Sequence, residues 1–170
     1  KRIKNDLEKI QNIKLSEVVS YSFNEIISRL PSSLLFKWIR PLIYFLQPVL
    51  FVIMVFRLKF IIKSEQGIEV IIANNGGYPA AWGCLSWLVA GKKAGISNCL
   101  LLVHHEATRP SMFMGLYERF IDRIVANSID AIICPSYATR QTLLDNRWFN
   151  AELSRIRVIY SAVKAKASST

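Results

Sequence analysis

The stretch IEVIIANNGGYPAAWGCLSWLVAGKKAGISNCLLLVHHEA, residues 68–107, decides the fold of this chain. It opens with a β-branched run at 68–73, which is typical of a buried parallel strand. The run stops abruptly at NNGGYP, residues 74–79, and both glycine and proline interrupt regular structure. The sequence therefore predicts a strand followed by a tight connection.

The second half of the same stretch predicts a helix and another strand. Residues 79–94 are rich in alanine and large apolar side chains, and Gly95 is a typical helix C-terminus. The apolar run at 98–103 predicts the next strand, which leads directly into HHE at 104–106. Strand, helix and strand in this order are the unit of a parallel sheet.

The pattern continues to the end of the chain. We predict a helix at 116–127, a strand at 131–134, a helix at 136–145 and a strand at 156–160. The alternation predicts a doubly wound, parallel, Rossmann-like α/β sheet. In the helix at 116–127 we expect an apolar face of four residues to point inward and a charged face to point away. The apolar face consists of Leu116, Phe120, Ile124 and Val125. The charged face consists of Glu118, Arg119, Asp122 and Arg123.

Composition limits the partners of such a domain. The formal net charge is +10, hydrophobic residues make up 52%, and the basic residues are spread along the chain. A basic surface favours anionic partners, but no nucleic-acid motif or dense basic tract is present, so we exclude nucleic acid. An anionic membrane surface or a lipid-linked phosphate fits better. The three cysteines have no metal-ligand spacing and predict buried free thiols.

The most apolar segment, 34–62, leaves three alternatives open. Its uncharged part, 41–56, is shorter than the roughly 20 residues that span a membrane and contains Pro48. Basic residues at both ends, with Trp38 and Tyr44, would suit a helix lying at a membrane surface. The third alternative is a pair of helices packed in the core and separated at Pro48.

Ligands of open parallel sheets bind at the carboxyl ends of the strands, and three predicted strand ends carry suitable residues. Asn75, Gly76, Gly77 and Tyr78 follow the first strand, where glycine permits close approach of a ligand to the backbone. The alternative is a tight turn that needs glycine for positive φ. This loop matches neither dinucleotide-binding nor Walker motifs.

His104 leaves the second strand and could act as a general base or hydrogen-bond a phosphate or a sugar hydroxyl. A structural histidine is the alternative, and metal binding is disfavoured because neighbouring side chains diverge. Ser136 follows the third strand and is placed to cap a helix. Arg140 follows one helical turn later. It would lie at the same carboxyl edge of the sheet, or alternatively on a solvated surface of the helix.

Four segments together resemble the N-terminal domain of family 4 glycosyltransferases, which have the GT-B fold. They are NNGGYP with its alanine-rich helix, VHHEA, YERFIDRIVANSIDAIICPSYATRQTL and RIRVIYSAV, in the order of the family. The resemblance covers residues 68–163. It implies retaining, metal-independent transfer of a sugar from a nucleotide diphosphate sugar to an acceptor, with no cofactor.

The resemblance also implies residue roles. His104 matches the strand-end histidine that lines the active site near the transferred sugar. Gly76, Gly77 and Tyr78 match the loop that faces the acceptor. Ser136 and Arg140 match the strand-end serine and the basic position after it. The implied partners are a nucleotide-sugar donor and a glycan or lipid-linked acceptor. The basic charge and the apolar segment 34–62 favour a position at the cytoplasmic face of the membrane.

The sequence departs from the family in ways that set the expected domain limits. No first strand with a glycine-rich loop is visible before residue 30, and Ser161-Ala162 replaces the common Asn-Gly. We therefore expect an acceptor-side domain at 1–163 without its first strand, and a disordered tail at 164–170. We also expect the chain to lack the donor domain and therefore to be inactive alone.

Two other functions stay open. The chain could be a non-catalytic, membrane-associated α/β binding module that has kept only the fold. A weaker alternative is an unrelated hydrolase that uses His104 and Ser136.

Overall fold

The computed structural model describes residues 34–65, 67–110, 112, 115–147 and 155–160, with side chains from residue 46 onward. The expectations for the N-terminal 33 residues, for Ser161-Ala162 and for the tail at 164–170 lie outside these residues. So do those for the side chains of Trp38 and Tyr44.

Four helices and four strands alternate along the described chain. The helices are α1 (Leu34–Ser64), α2 (Trp82–Ala94), α3 (Gly115–Ala126) and α4 (Tyr137–Asn146). The strands are β1 (Val70–Asn75), β2 (Asn98–Val103), β3 (Ala131–Cys134) and β4 (Ile156–Val158). The predictions for β2 and β3 are confirmed to the residue, and the other predicted elements after residue 67 shift by one to three residues at their ends.

The strands form one parallel sheet in the order β1-β2-β3-β4. The predicted α/β class with a parallel, Rossmann-like sheet is confirmed. Because consecutive strands are neighbours, right-handed crossovers bring α2, α3 and α4 to one face of the sheet. Ala73, Leu101 and Ile132 are buried on that face.

The strand β1 differs from its prediction as a buried strand. It lies at the edge of the described sheet, and the side chains of Val70 and Ile72 are 45% and 60% exposed. Their neighbours Ile71 and Ala73 point the other way, toward α2. An apolar run therefore identified the strand correctly, but it did not show how many of its faces are covered.

The long apolar segment forms a single helix rather than a pair. The helix α1 continues through Pro41 and Pro48, although each proline removes one backbone donor. One side packs against α2, where Phe51 meets the Trp82 ring edge-on with centroids 6.1 Å apart. Among the residues that the structure describes, no helix combines the length and apolar character needed to cross a membrane.

Helix α2 ends as the sequence predicts. Gly95 adopts a left-handed conformation with φ of 97°, and its N–H donates to carbonyl oxygens of the last turn. Residues with a Cβ atom rarely adopt this backbone conformation, which explains why a glycine stands at the end of α2. The turn leads the chain into β2, beside β1 in the sheet.

The predicted orientation of α3 is correct for Val125 and the half-buried Ile124 but wrong in the rest of its apolar face. Leu116 and Phe120, expected inside, are 85% and 60% exposed, whereas Asp122, expected outside, is fully buried. The helix is turned because its carboxylates meet a buried arginine, which compensates their removal from water. Ile121 and Val125 fill the core on the same side.

Candidate functional site at the carboxyl edge of the sheet

The loops after β1 and β2 run side by side at the carboxyl edge of the sheet. The backbone N–H of His104 donates to the Asn75 carbonyl at 3.1 Å, and that of His105 donates to Gly76 at 2.6 Å. Parallel pairing thus extends beyond both strands. The structure brings the predicted glycine loop and the predicted histidine together.

The two loop glycines provide an accessible backbone rather than a special turn. Gly76 is exposed and Gly77 is half-buried, and neither has positive φ. The alternative that they serve a positive-φ turn is therefore wrong. A Cβ atom added at Gly77 would meet only ordinary contacts, the nearest being the Glu106 carbonyl oxygen at 3.5 Å. Because glycine has no Cβ atom, the backbone at Gly76 and Gly77 is not covered by a side chain of its own.

His104 is exposed beside this loop. His105 and Glu106 are exposed as well, and all three directly follow the end of β2. Within the described residues no group of three or more His, Cys, Asp or Glu side chains could hold a metal ion. An accessible imidazole beside bare backbone can bind a polar ligand or transfer a proton at this edge.

Asn75 and Tyr78 occupy different positions from those expected of substrate-binding side chains. Asn75 is fully buried, and its Oδ1 accepts a hydrogen bond from the Ala81 N–H at 3.2 Å, at the start of α2. Its buried Nδ2 has no hydrogen-bond partner. Tyr78, joined to Pro79 by a cis peptide, is 1% exposed. Both side chains are buried and support the loop from inside.

Tyr78 belongs to a buried polar cluster, which consists of Tyr78, Glu118, Asp122 and Arg147. The Tyr78 hydroxyl donates to Asp122 Oδ1 at 2.8 Å. The Arg147 guanidinium binds Asp122 at 2.9 Å and Glu118 at 2.5 Å, and lies 5.1 Å from the centre of the Tyr78 ring. The cluster joins the loop after β1 to α3 and to the end of α4.

The protonation of this cluster follows from its burial. Burial, and next the charge of Asp122, raise the pKa of Tyr78 well above its ordinary value. For Arg147, burial acts to lower the pKa, but the carboxylates of Asp122 and Glu118 outweigh it and raise the pKa. Arg147 therefore stays charged and Tyr78 stays neutral, so Tyr78 remains a hydrogen-bond donor.

Ser136 is the N-cap of α4, as predicted. Its Oγ accepts a hydrogen bond from the Thr139 N–H and lies 3.1 Å from Thr139 Oγ1. These contacts commit the hydroxyl to the helix, and the structure shows no pairing with His104 of the kind that a hydrolase needs. The hydrolase alternative loses its support.

Arg140 lies one turn further along α4, half-buried near the end of β3. Burial raises the pKa of the Cys134 thiol to about 11, and the positive charge of Arg140 opposes this rise. The backbone N–H of Arg140 donates to the Ser136 carbonyl oxygen at 3.2 Å, so Arg140 lies one helical turn from the N-cap. The three cysteines are free thiols; Cys99 and Cys134 are buried, whereas Cys84 is half-buried.

Two exposed tyrosines at the same edge escaped the sequence analysis. Tyr137 begins α4 and Tyr160 follows β4 by two residues, and they are 65% and 66% exposed. Their rings meet edge to face, with centroids 6.3 Å apart. The available signal was a tyrosine two or three positions after each of two strand ends, but only the fold brings the two rings together.

A separate depression of about 480 Å³ lies elsewhere on the surface. Arg109, Leu116, Arg119 and Asn146 are among its lining residues. Asn146 ends α4, about 15 Å along the helix axis from the carboxyl edge where α4 begins. This depression is therefore distinct from the site at the strand ends.

A family model for Glycosyltransferase Family 4 matches residues 27–166 of the 170-residue chain. The match covers far more than half of the sequence, and the chain belongs to this family. It contains all three strand ends described above and α1 in full. No curated protein and no solved structure matches the chain.

Proposed function

We propose that this domain binds the acceptor in a glycosyltransferase that moves a sugar from a nucleotide diphosphate sugar to a lipid-linked or polysaccharide acceptor. The observation that carries the proposal is the exposed His104 beside the bare backbone of Gly76, in a chain of this family. Transfer proceeds with retention and without a metal ion, as the family resemblance implies.

Each residue at the edge has a distinct proposed task. His104 hydrogen-bonds a hydroxyl of the transferred sugar and orients it for reaction. Gly76 and Gly77 let the acceptor approach the backbone closely. Arg140 and the N-terminus of α4, capped by Ser136, attract an anionic group such as a lipid-linked phosphate.

The exposed pair Tyr137 and Tyr160 adds an apolar platform to this edge. A sugar ring presents C–H groups on its faces, and an aromatic face carries the negative end of a quadrupole that attracts them. We propose that the pair contacts a sugar residue of the acceptor. Asn75 and Tyr78 act indirectly, because they fix the loop from inside.

We propose that a second, C-terminal domain binds the nucleotide-sugar donor, and that the chain by itself does not catalyse transfer. The enzyme is cytoplasmic and lies at the inner face of the membrane, where its net charge of +10 favours anionic lipid. Nucleic acid is not a proposed partner.

The test is a transfer assay on the complete gene product with membrane lipids as acceptor. Labelled uridine diphosphate glucose, uridine diphosphate N-acetylglucosamine and guanosine diphosphate mannose are supplied in turn. We expect transfer from one donor, and a loss of roughly 100-fold or more in kcat for His104→Ala. His105→Ala, an equally exposed neighbour, is the control and should keep most of the activity.

A binding module without catalysis is the second candidate, favoured by the exposed apolar side chains of α1. It predicts vesicle binding by the chain but no transfer from any donor by the complete gene product.

In the transfer assay, an equal loss of kcat in the His104→Ala and His105→Ala variants would contradict the specific role proposed for His104.

A further inference from the structure

Helix α1 has two apolar faces, and only one of them is buried in the described structure. The inner face packs toward α2 and consists of Phe51, Met54, Val55, Leu58 and Ile62, none more than 8% exposed. The opposite face, here called the outer stripe, exposes six large apolar side chains. These are Leu46, Val49, Val52, Ile53, Phe56 and Phe60, which are 47% to 77% exposed.

The outer stripe is continuous. Five of its residues, at 46, 49, 53, 56 and 60, alternate spacings of three and four, so they align along one side of the helix. From residue 46 to residue 60 the helix rises by about 21 Å. An exposed apolar surface of this extent marks an interaction site more often than chance exposure.

The charges of α1 indicate the chemistry of the partner. Over its 31 residues the helix contains no acidic side chain and five basic ones, which are Lys37, Arg40, Arg57, Lys59 and Lys63. Arg57 and Lys63 are exposed near the C-terminal end of the outer stripe. A partner that covers the stripe therefore meets positive charge, and a second copy of the same helix would bring like charges together.

We infer that the outer stripe is the surface by which the protein lies on an anionic lipid bilayer, with α1 parallel to the membrane plane. Apolar side chains enter the boundary between headgroups and acyl chains, while the basic side chains reach anionic headgroups. Because the inner face of the same helix is part of the core, α1 fixes the orientation of the whole domain on the membrane. This inference rests on the peripheral location proposed above, but not on glycosyl transfer.

The test compares two double variants in vesicle flotation. Phe56→Ser with Phe60→Ser removes two rings from the outer stripe, which are 65% and 77% exposed. Leu116→Ser with Phe120→Ser is the matched control on α3, where these side chains are 85% and 60% exposed. The vesicles are phosphatidylcholine alone, or phosphatidylcholine mixed with phosphatidylglycerol.

We expect the parent chain to bind the anionic vesicles and to be released by salt. The α1 double variant should bind roughly 100-fold more weakly, about tenfold for each ring, and the α3 double variant should bind like the parent. Lys63→Gln should weaken binding to the anionic vesicles about fivefold.

Other outcomes have definite meanings. If the parent does not bind vesicles, the peripheral location and this inference both fail, while the proposed glycosyl transfer stands. Weaker binding by the α3 variant alone, or by both variants equally, overturns the outer stripe but not the location. If the α1 variant instead abolishes a dimer, or lowers the urea midpoint, the stripe is covered by a second copy or by the chain itself, and the inference is overturned.

Discussion

At the scale of single residues, Arg147 connects the loop beside the site to α3. Its guanidinium is completely buried and binds two carboxylates, on α3, beside the ring of Tyr78. Nothing local in the sequence marks this residue, since its partners are 25 to 29 positions away. The cluster also explains why Asp122 is inside and Leu116 outside.

Replacing Arg147 should therefore strongly destabilise the domain. Arg147→Met leaves the buried Asp122 without its positive partner, and we expect a loss of about 3–5 kcal/mol in the free energy of unfolding. Arg123→Met, at an exposed position of α3, should change it by less than about 0.5 kcal/mol. Urea denaturation followed by circular dichroism measures both.

A milder variant tests the same cluster if Arg147→Met fails to fold. Tyr78→Phe keeps the ring under the guanidinium but removes the hydroxyl that donates to Asp122. We expect a loss of about 1–2 kcal/mol, because a buried acceptor loses one of its partners. Parent-like stability in this variant would contradict the description of the cluster.

At the scale of elements, Asp130 joins three parts of the fold just before β3. Its carboxylate binds Lys92 in the last turn of α2 at 2.7 Å and accepts the Cys99 N–H of β2 at 2.8 Å. Burial acts to raise the pKa of Asp130, but the hydrogen bonds from Lys92 and Cys99 outweigh it and hold the pKa below its ordinary value of 3.8.

This lowered pKa predicts an acid dependence of stability. The ionised carboxylate stabilises the fold above the ordinary pKa, and this contribution is lost as the pH falls through the lower pKa of the folded state. Asp130→Asn should cost about 1 kcal/mol or less near neutral pH, since the pair is about one-third exposed. As the pH falls below the ordinary pKa of 3.8, the difference between variant and parent should shrink. Urea midpoints measured across this pH range test it, and a constant difference would contradict the assignment.

The elements also show which sequence patterns were sufficient. The short apolar runs of β2 and β3, bounded by turn residues, gave correct limits because a strand buried on the helix side needs little beyond its own composition. Helix α3 was located correctly, but Leu116 and Phe120 of its predicted inner face are exposed. Periodicity favours the face with the larger side chains, and it cannot anticipate that a distant arginine will pair with the carboxylates.

At the scale of the whole molecule, the central and edge strands of the sheet should differ in the protection of their amides from hydrogen exchange. β2 is paired on both sides, whereas β1 and β4 are each paired on one side among the described strands. We expect the amides of β2 to exchange with solvent only on global unfolding, and half of those of β1 to exchange much faster. Hydrogen exchange followed by NMR measures this directly. Uniform protection of β1 would mean that another segment pairs with its outer edge.

The sequence by itself determined the order of strands and helices after residue 67, the cap at Ser136, the end of α2 at Gly95 and the family resemblance. These depend on residues close together in the chain, so local patterns contain them. Only the tertiary structure decided that α1 is one helix with an exposed apolar face, that Asn75 and Tyr78 turn inward, and that Tyr137 meets Tyr160. Each of these results depends on contacts between distant segments, because burial and pairing of a side chain are set by whatever packs against it.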